Sequence, residues 1–187
     1  MKRPVMKLTQ EVDTRWNSTF LMLQRLFKER QSVEAVLAML KTDSRDGEGR
    51  GGGVGIQHTT SYRGEQIRFV NITTFEYVAV VLEKDEWEVP VLLVNVYFPP
   101  GYSRGEFNNF LSDFEMLLSD INVMYDHVIF TGDFNIHMDE NREPYTIEFN
   151  DMLKKFDLKQ HVNTKTHNRG HTLDLVFTRN VDVSNLT

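Results

Sequence analysis

The 187-residue sequence contains no cysteine. That excludes disulfide bonds, zinc ribbons and cysteine nucleophiles, and it fits a reducing intracellular compartment, the nucleus included. No apolar run approaches the roughly 20 residues needed to cross a bilayer, so no membrane partner is expected. The opening segment, MKRPVMKLTQEVD, has no signal-peptide apolar centre. What is present is a globular balance of 40% hydrophobic and 26% charged residues, enough to build a core and too apolar for a disordered chain.

The formal net charge of −6 hides an asymmetry. Residues 1–42 hold eight Lys/Arg against four Asp/Glu, so they carry +4, whereas residues 43–187 hold thirteen against twenty-three, or −10. An acidic domain repels phosphate backbones. A site that handles phosphate through a divalent cation can still be acidic, because the metal inverts the local sign.

Organisation follows the same divide. Trp16, Phe20, Leu23 and Phe27 recur at three- and four-residue spacing, and Val33, Val36, Leu37 and Leu40 extend the stripe, which predicts an amphipathic helix in residues 1–42. Glycines and charges then make residues 43–50 a linker, with residues 51–187 as a second unit. Little apolar sequence anchors residues 41–53, so limited proteolysis is expected to give a fragment starting near Gly51. First cuts inside Val91–Phe98 or His127–Thr131 would contradict the two-piece organisation.

The second unit alternates strand and helix signals. Val54–Ile56, Phe75–Leu82, Val91–Phe98 and His127–Thr131 read as strands, and Thr172–Thr178 as a last one alternating Leu173, Leu175 and Phe177 with Asp174 and Val176. Phe75–Leu82 and Val91–Phe98 are apolar at successive positions, so both faces should be covered, and Lys84–Pro90 suits a hairpin connection. A capping box at Ser103 and Glu106 opens a helix carrying Phe107, Phe110, Phe114, Leu117 and Ile121. Tyr145, Phe149, Met152, Leu153 and Phe156 mark another. The pattern implies a layered α/β sandwich.

Gly132-Asp133-Phe134-Asn135 is the sharpest local feature. In extended backbone Asp133 and Asn135 point to one face at a strand's carboxyl end, where a carboxylate and an amide can orient a water, a metal or a phosphate oxygen. The alternative is a plain turn, since Gly, Asp and Asn favour turns. In His171-Thr172-Leu173-Asp174, an aspartate within an apolar strand needs a partner if buried; the alternative is an edge strand with Asp174 facing water. Tyr97 either presents its hydroxyl to a phosphate or is packed. Gly51–Gly55 lacks the Gly-Lys-Ser/Thr of a phosphate loop and reads as linker.

Together GGGVGI (51–56), VNVYFPPG (94–101), TGDFNIH (131–137) and THNRGHTLDLVF (166–177) resemble the endonuclease/exonuclease/phosphatase superfamily, specifically the endonuclease of LINE-type (non-LTR) retrotransposons. The resemblance implies a DNase I-like four-layer sandwich and magnesium-dependent cleavage of DNA or another nucleic acid by an activated water. It assigns water activation to Asp133, assistance at the phosphate to Asn135, phosphate contact to Tyr97 and orientation of the catalytic histidine to Asp174. Asp133 and Asn135 are then also the magnesium ligands of an incomplete site. The family's earlier metal-binding glutamate and its later Ser-Asp-His segment have no counterpart, so the domain reads as truncated at both ends, weakly active and prone to self-association. His171 is not the catalytic histidine on this reading, because it would share a strand with Asp174 and point to the other face. Residues 7–40, beginning KLTQEVDTRWNST, resemble a segment of hAT-family transposases. Two other functions stay open: a non-catalytic nucleic-acid or protein binding module, and a relic fusion of two mobile elements.

Overall fold

A computed structural model describes residues 54, 56, 62–163, 165–166 and 170–181. The expected helix of residues 1–42 and the linker lie outside the described residues. Six strands and two helices follow one another: β1 (Arg63–Ile67), β2 (Glu76–Glu83), β3 (Val91–Tyr97), α1 (Arg104–Met124), β4 (Val128–Asp133), α2 (Pro144–Lys155), β5 (Lys159–Gln160) and β6 (Asp174–Arg179). They form one mixed sheet in the order β1-β2-β3-β4-β6-β5. Only β3 and β4 run parallel, with α1 as the connection between them; the other neighbours are antiparallel. Among the described residues no helix is long and apolar enough to cross a membrane.

The mixed α/β class is the one the sequence pattern implies, and the described residues form a sheet with its helical layer. Val54 and Ile56, expected in a strand, lie outside every strand, while the polar RGEQI of β1 forms an exposed sheet edge. Composition hid β1, because an edge strand facing water needs no apolar alternation. The hairpin between β2 and β3 forms as expected.

Helix α1 starts where its sequence says it should. Ser103 Oγ accepts the Glu106 N–H at 3.3 Å, and Glu106 Oε2 accepts the Ser103 N–H at 2.7 Å, completing the capping box. Its stripe of Phe107, Phe110, Phe114, Leu117, Leu118 and Ile121 is buried against Leu92, Val94 and Val96 of β3, Phe130 of β4 and Phe177 of β6. Helix α2 has Pro144 in its first turn, where no N–H is needed, and Glu143 Oε2 accepts the Tyr145 N–H at 2.9 Å. Val80, Leu93, Ile129 and Val176 belong to a second apolar cluster with Tyr62 and Val162 on the other face. Both faces of β3 are therefore covered, which is why it is apolar at nearly every position.

His161 ties β5 to β6: its Nε2 lies 2.6 Å from Thr178 Oγ1, which itself donates to the Val181 carbonyl at 3.0 Å. Burial, helped by Lys159, lowers its pKa. A histidine depressed in the fold contributes stability above its unfolded value of about 6.5, and that contribution is lost as pH falls through the folded value. Urea melts at descending pH should therefore show a shallower stability loss below about pH 6.5 for His161→Gln than for the wild type. Parallel curves would refute this role.

Candidate active site

Strand register, not sequence proximity, assembles the site. Tyr97 at the end of β3 is the register partner of Asp133 at the end of β4, and Asp133 is in turn the partner of Asp174 at the start of β6. On the other side Tyr97 pairs with Glu76 of β2. Register partners on neighbouring strands point to one face, so Glu76, Tyr97, Asp133 and Asp174 make a polar row across four strands. The row lies on the face opposite the helices, in line with Val80, Leu93, Ile129 and Val176. Behind it Asn95 and Thr131 form a second polar pair, with Thr131 Oγ1 donating to Asn95 Oδ1 at 3.2 Å.

Asp174 is only 4% exposed, and β6 lies between β4 and β5, which removes the water-facing edge alternative. Thr166 Oγ1 accepts the N–H groups of both Leu173 and Asp174, at 2.9 and 3.0 Å, fixing the start of the strand. Like charges directly opposite on neighbouring strands are destabilising, so Asp133 beside Asp174 is a place where a cation or a set of donors is favoured. Burial raises the Glu76 carboxyl above its ordinary pKa at the far end of the row.

Asn135 departs from the extended reading and takes the turn alternative. Strand β4 stops at Asp133, and Asn135 has a left-handed φ of 49°, so the two do not share a face by strand alternation. Asparagine tolerates this conformation better than most residues. Asp133 Oδ1 accepts the Asn135 N–H at 3.1 Å, closing an Asx turn, and Asn135 Nδ2 donates to the Phe98 carbonyl at 2.8 Å. The turn and the chemical site are therefore one structure: Asn135 locks the exit of β4 onto the exit of β3. The Tyr102 hydroxyl donates to the Asn135 carbonyl at 3.0 Å. Burial first, then Glu143 and Tyr145, push the Tyr102 pKa up to about 12, which keeps it a donor.

His171 also departs from expectation. It precedes β6 instead of sharing its strand, and its ring stacks on His137 with centroids 4.0 Å apart and planes 7° from parallel. His137, Glu140 and His171 are the one group of three potential metal ligands among the described residues. Neither Asp133 nor Asp174 belongs to such a group. The row's oxygen donors nevertheless suit magnesium, which is commonly held by one or two carboxylates with waters and substrate phosphates.

Sequence reasoning brought Tyr97, Asp133 and Asp174 to attention and missed Glu76, Tyr102 and the histidine pair. Once Asp133 is paired with Asp174, His137 lies four residues beyond one and His171 three residues before the other. That spacing was the available signal for the pair.

The site is thus a polar row at the carboxyl ends of the two parallel strands of a mixed sheet, on the face opposite its helical layer. The chain belongs to the endonuclease-reverse transcriptase family, which matches residues 91–185, just over half of the 187 residues. No curated protein sequence matches the chain significantly. Similar solved structures include a beta toxin from Staphylococcus aureus, 17% identical over 57% of this chain and 43% of that one, with a TM-score of 0.42. The human Nocturnin catalytic domain with bound sulfate anion is 18% identical over 63% and 47%, with a TM-score of 0.43. Humanized D. rerio TDP2 is 12% identical over 67% and 54%, with a TM-score of 0.41. The chain spans about half the length of these structures.

Proposed function

We propose that the chain is a retrotransposon-derived, magnesium-dependent phosphodiesterase domain that hydrolyses the phosphodiester bonds of DNA or another nucleic acid. The observation that carries the reading is the register row of Tyr97, Asp133 and Asp174, continued by the Asn135 turn. In this reading Asp133 orients and deprotonates the attacking water, while Asn135 and the Tyr97 hydroxyl hold the scissile phosphate. Asp174, directly beside Asp133, is a positioning residue. Magnesium, when bound, neutralises the charge that builds on the phosphate oxygens. A family that couples an endonuclease to a reverse transcriptase supports an origin in a mobile element, and residues 7–40 are read as a separate, hAT-transposase-like segment.

The same reading makes this chain a weak catalyst by itself. With one or two carboxylates in the row, magnesium is held weakly until waters and the substrate phosphate complete its shell. Purified protein should nick supercoiled DNA slowly in millimolar magnesium, and EDTA should stop it. Tight binding of DNA or protein with no nicking at any magnesium concentration would favour the non-catalytic binding module instead.

A further inference from the structure

The paired histidines form a second site that the phosphodiesterase reading does not use. His137 follows the Asn135 turn, and His171 lies just before β6. Backbone hydrogen bonds hold their segments side by side: the Phe134 N–H donates to the Leu173 carbonyl at 3.0 Å, and the Met138 N–H to the Thr172 carbonyl at 3.2 Å. Thr146 Oγ1 of α2 donates to the His137 carbonyl at 2.9 Å, and the Glu140 N–H donates to it at 2.9 Å. Both imidazoles are thus placed by fixed backbone.

Their nitrogens converge on one carboxylate oxygen. Glu140 Oε1 is 3.5 Å from His137 Nδ1 and 3.7 Å from His171 Nδ1, and the three ligand atoms all lie within 4.8 Å of one another. These separations are long for direct hydrogen bonds. They lie near the edges of a tetrahedral shell, whose ligands, about 2.0–2.2 Å from the centre, are roughly 3.3–3.6 Å apart. The stacked rings, 7° from parallel, aim their in-plane lone pairs along parallel planes, so binding turns at least one imidazole out of the stack to bring its nitrogen to the ion. Asp139 adds negative charge beside the same point, with Oδ2 3.2 Å from His171 Nδ1 and Oδ1 accepting the Thr172 N–H at 2.9 Å.

We propose that His137, Glu140 and His171 bind a divalent transition cation of the zinc type, which clips the segment leaving Asp133 to the segment entering Asp174. Two imidazoles select zinc, nickel or cobalt over magnesium, which prefers oxygen ligands. Three protein ligands leave a coordination position for water. The site is distinct from the magnesium reading of the polar row and stands whether or not the chain cleaves nucleic acid.

Zinc alone is the probe. Chelator-stripped full-length protein titrated with zinc by calorimetry should take up one ion at this site. A hundredfold excess over Kd should raise Tm by about 5–10 °C. His171→Ala and Glu140→Gln should each weaken zinc binding at least ~10-fold. Glu140 is exposed, so its substitution leaves packing untouched, and circular dichroism checks both variants for folding. His127→Gln, at the opposite end of β4, should leave zinc binding unchanged. Wild-type affinity weaker than about 1 mM, or affinity that survives both His171→Ala and Glu140→Gln, overturns the proposal.

Discussion

Gly132→Ala should destabilise the domain by about 4 kcal/mol or more, a large fraction of the roughly 5–15 kcal/mol that holds a typical domain together. Gly132 has a φ of +145°, and an added Cβ would lie 1.8 Å from the Val96 carbonyl oxygen and 2.8 Å from its carbon. Both obstacles are backbone of the neighbouring strand, so no side-chain rotation relieves them. Relief requires β4 to move away from β3, which would break the register that sets Asp133 beside Tyr97. Gly105 offers the opposite case. It lies in the first turn of α1, and a Cβ there meets only Ser103 Oγ at 4.0 Å. Gly105→Ala should therefore be neutral or stabilising, by about 0.4–1 kcal/mol. Thermal melts of the two variants beside the wild type check the pair, and a Gly132→Ala protein melting within about 2 °C of wild type would contradict the close approach of the strands.

Phe114→Ala should cost about 3–5 kcal/mol. Phe114 is fully buried on α1, and its ring lies 5.5–5.9 Å from those of Phe75, Phe110, Phe130, Phe134 and Phe149. These rings come from the helix itself, from β4 and the turn after it, from α2, and from the residue before β2. Removing the ring empties the point where the helical layer meets the sheet, and five large neighbours on separate elements collapse poorly into the space. Val123 on the same helix is 85% exposed, so Val123→Ala should change stability by no more than about 0.5 kcal/mol. Urea unfolding of both variants provides the measurement; equal midpoints would show that α1 does not anchor the core.

The legible part of the fold was the part built from apolar pattern. The capping box, the phenylalanine stripe of α1 and the apolar strands β2, β3 and β4 each announce themselves, because burial of an amphipathic face dictates its own spacing. β1 did not, since an exposed edge needs only backbone pairing. The two-residue β5 is too short to carry a period. At the site, Asp133 was legible as a charged residue ending an apolar strand, and Asp174 as a charge within one. Their adjacency was not legible, because it depends on a register between strands forty residues apart. Asn135 left an extended and a turn reading open, and the short side chain that makes it chemically useful is also what lets it turn into the left-handed region. The histidine pair was hard to read for the same long-range reason: His137 and Glu140 lie three residues apart, but His171 joins them only through the pairing of the segment after β4 with the segment before β6.

The most direct test of the proposed activity is single-turnover nicking of supercoiled plasmid in millimolar magnesium, wild type beside Asp133→Asn. Asparagine keeps the size of the side chain and can still accept the Asn135 N–H, so the turn is retained while the charge is lost. The account predicts slow, EDTA-sensitive nicking by the wild type. It also predicts a rate about 10²–10³-fold lower for Asp133→Asn, the usual cost of removing one group that stabilises the transition state. Equal rates for the two proteins, whether both nick or neither does, would contradict it.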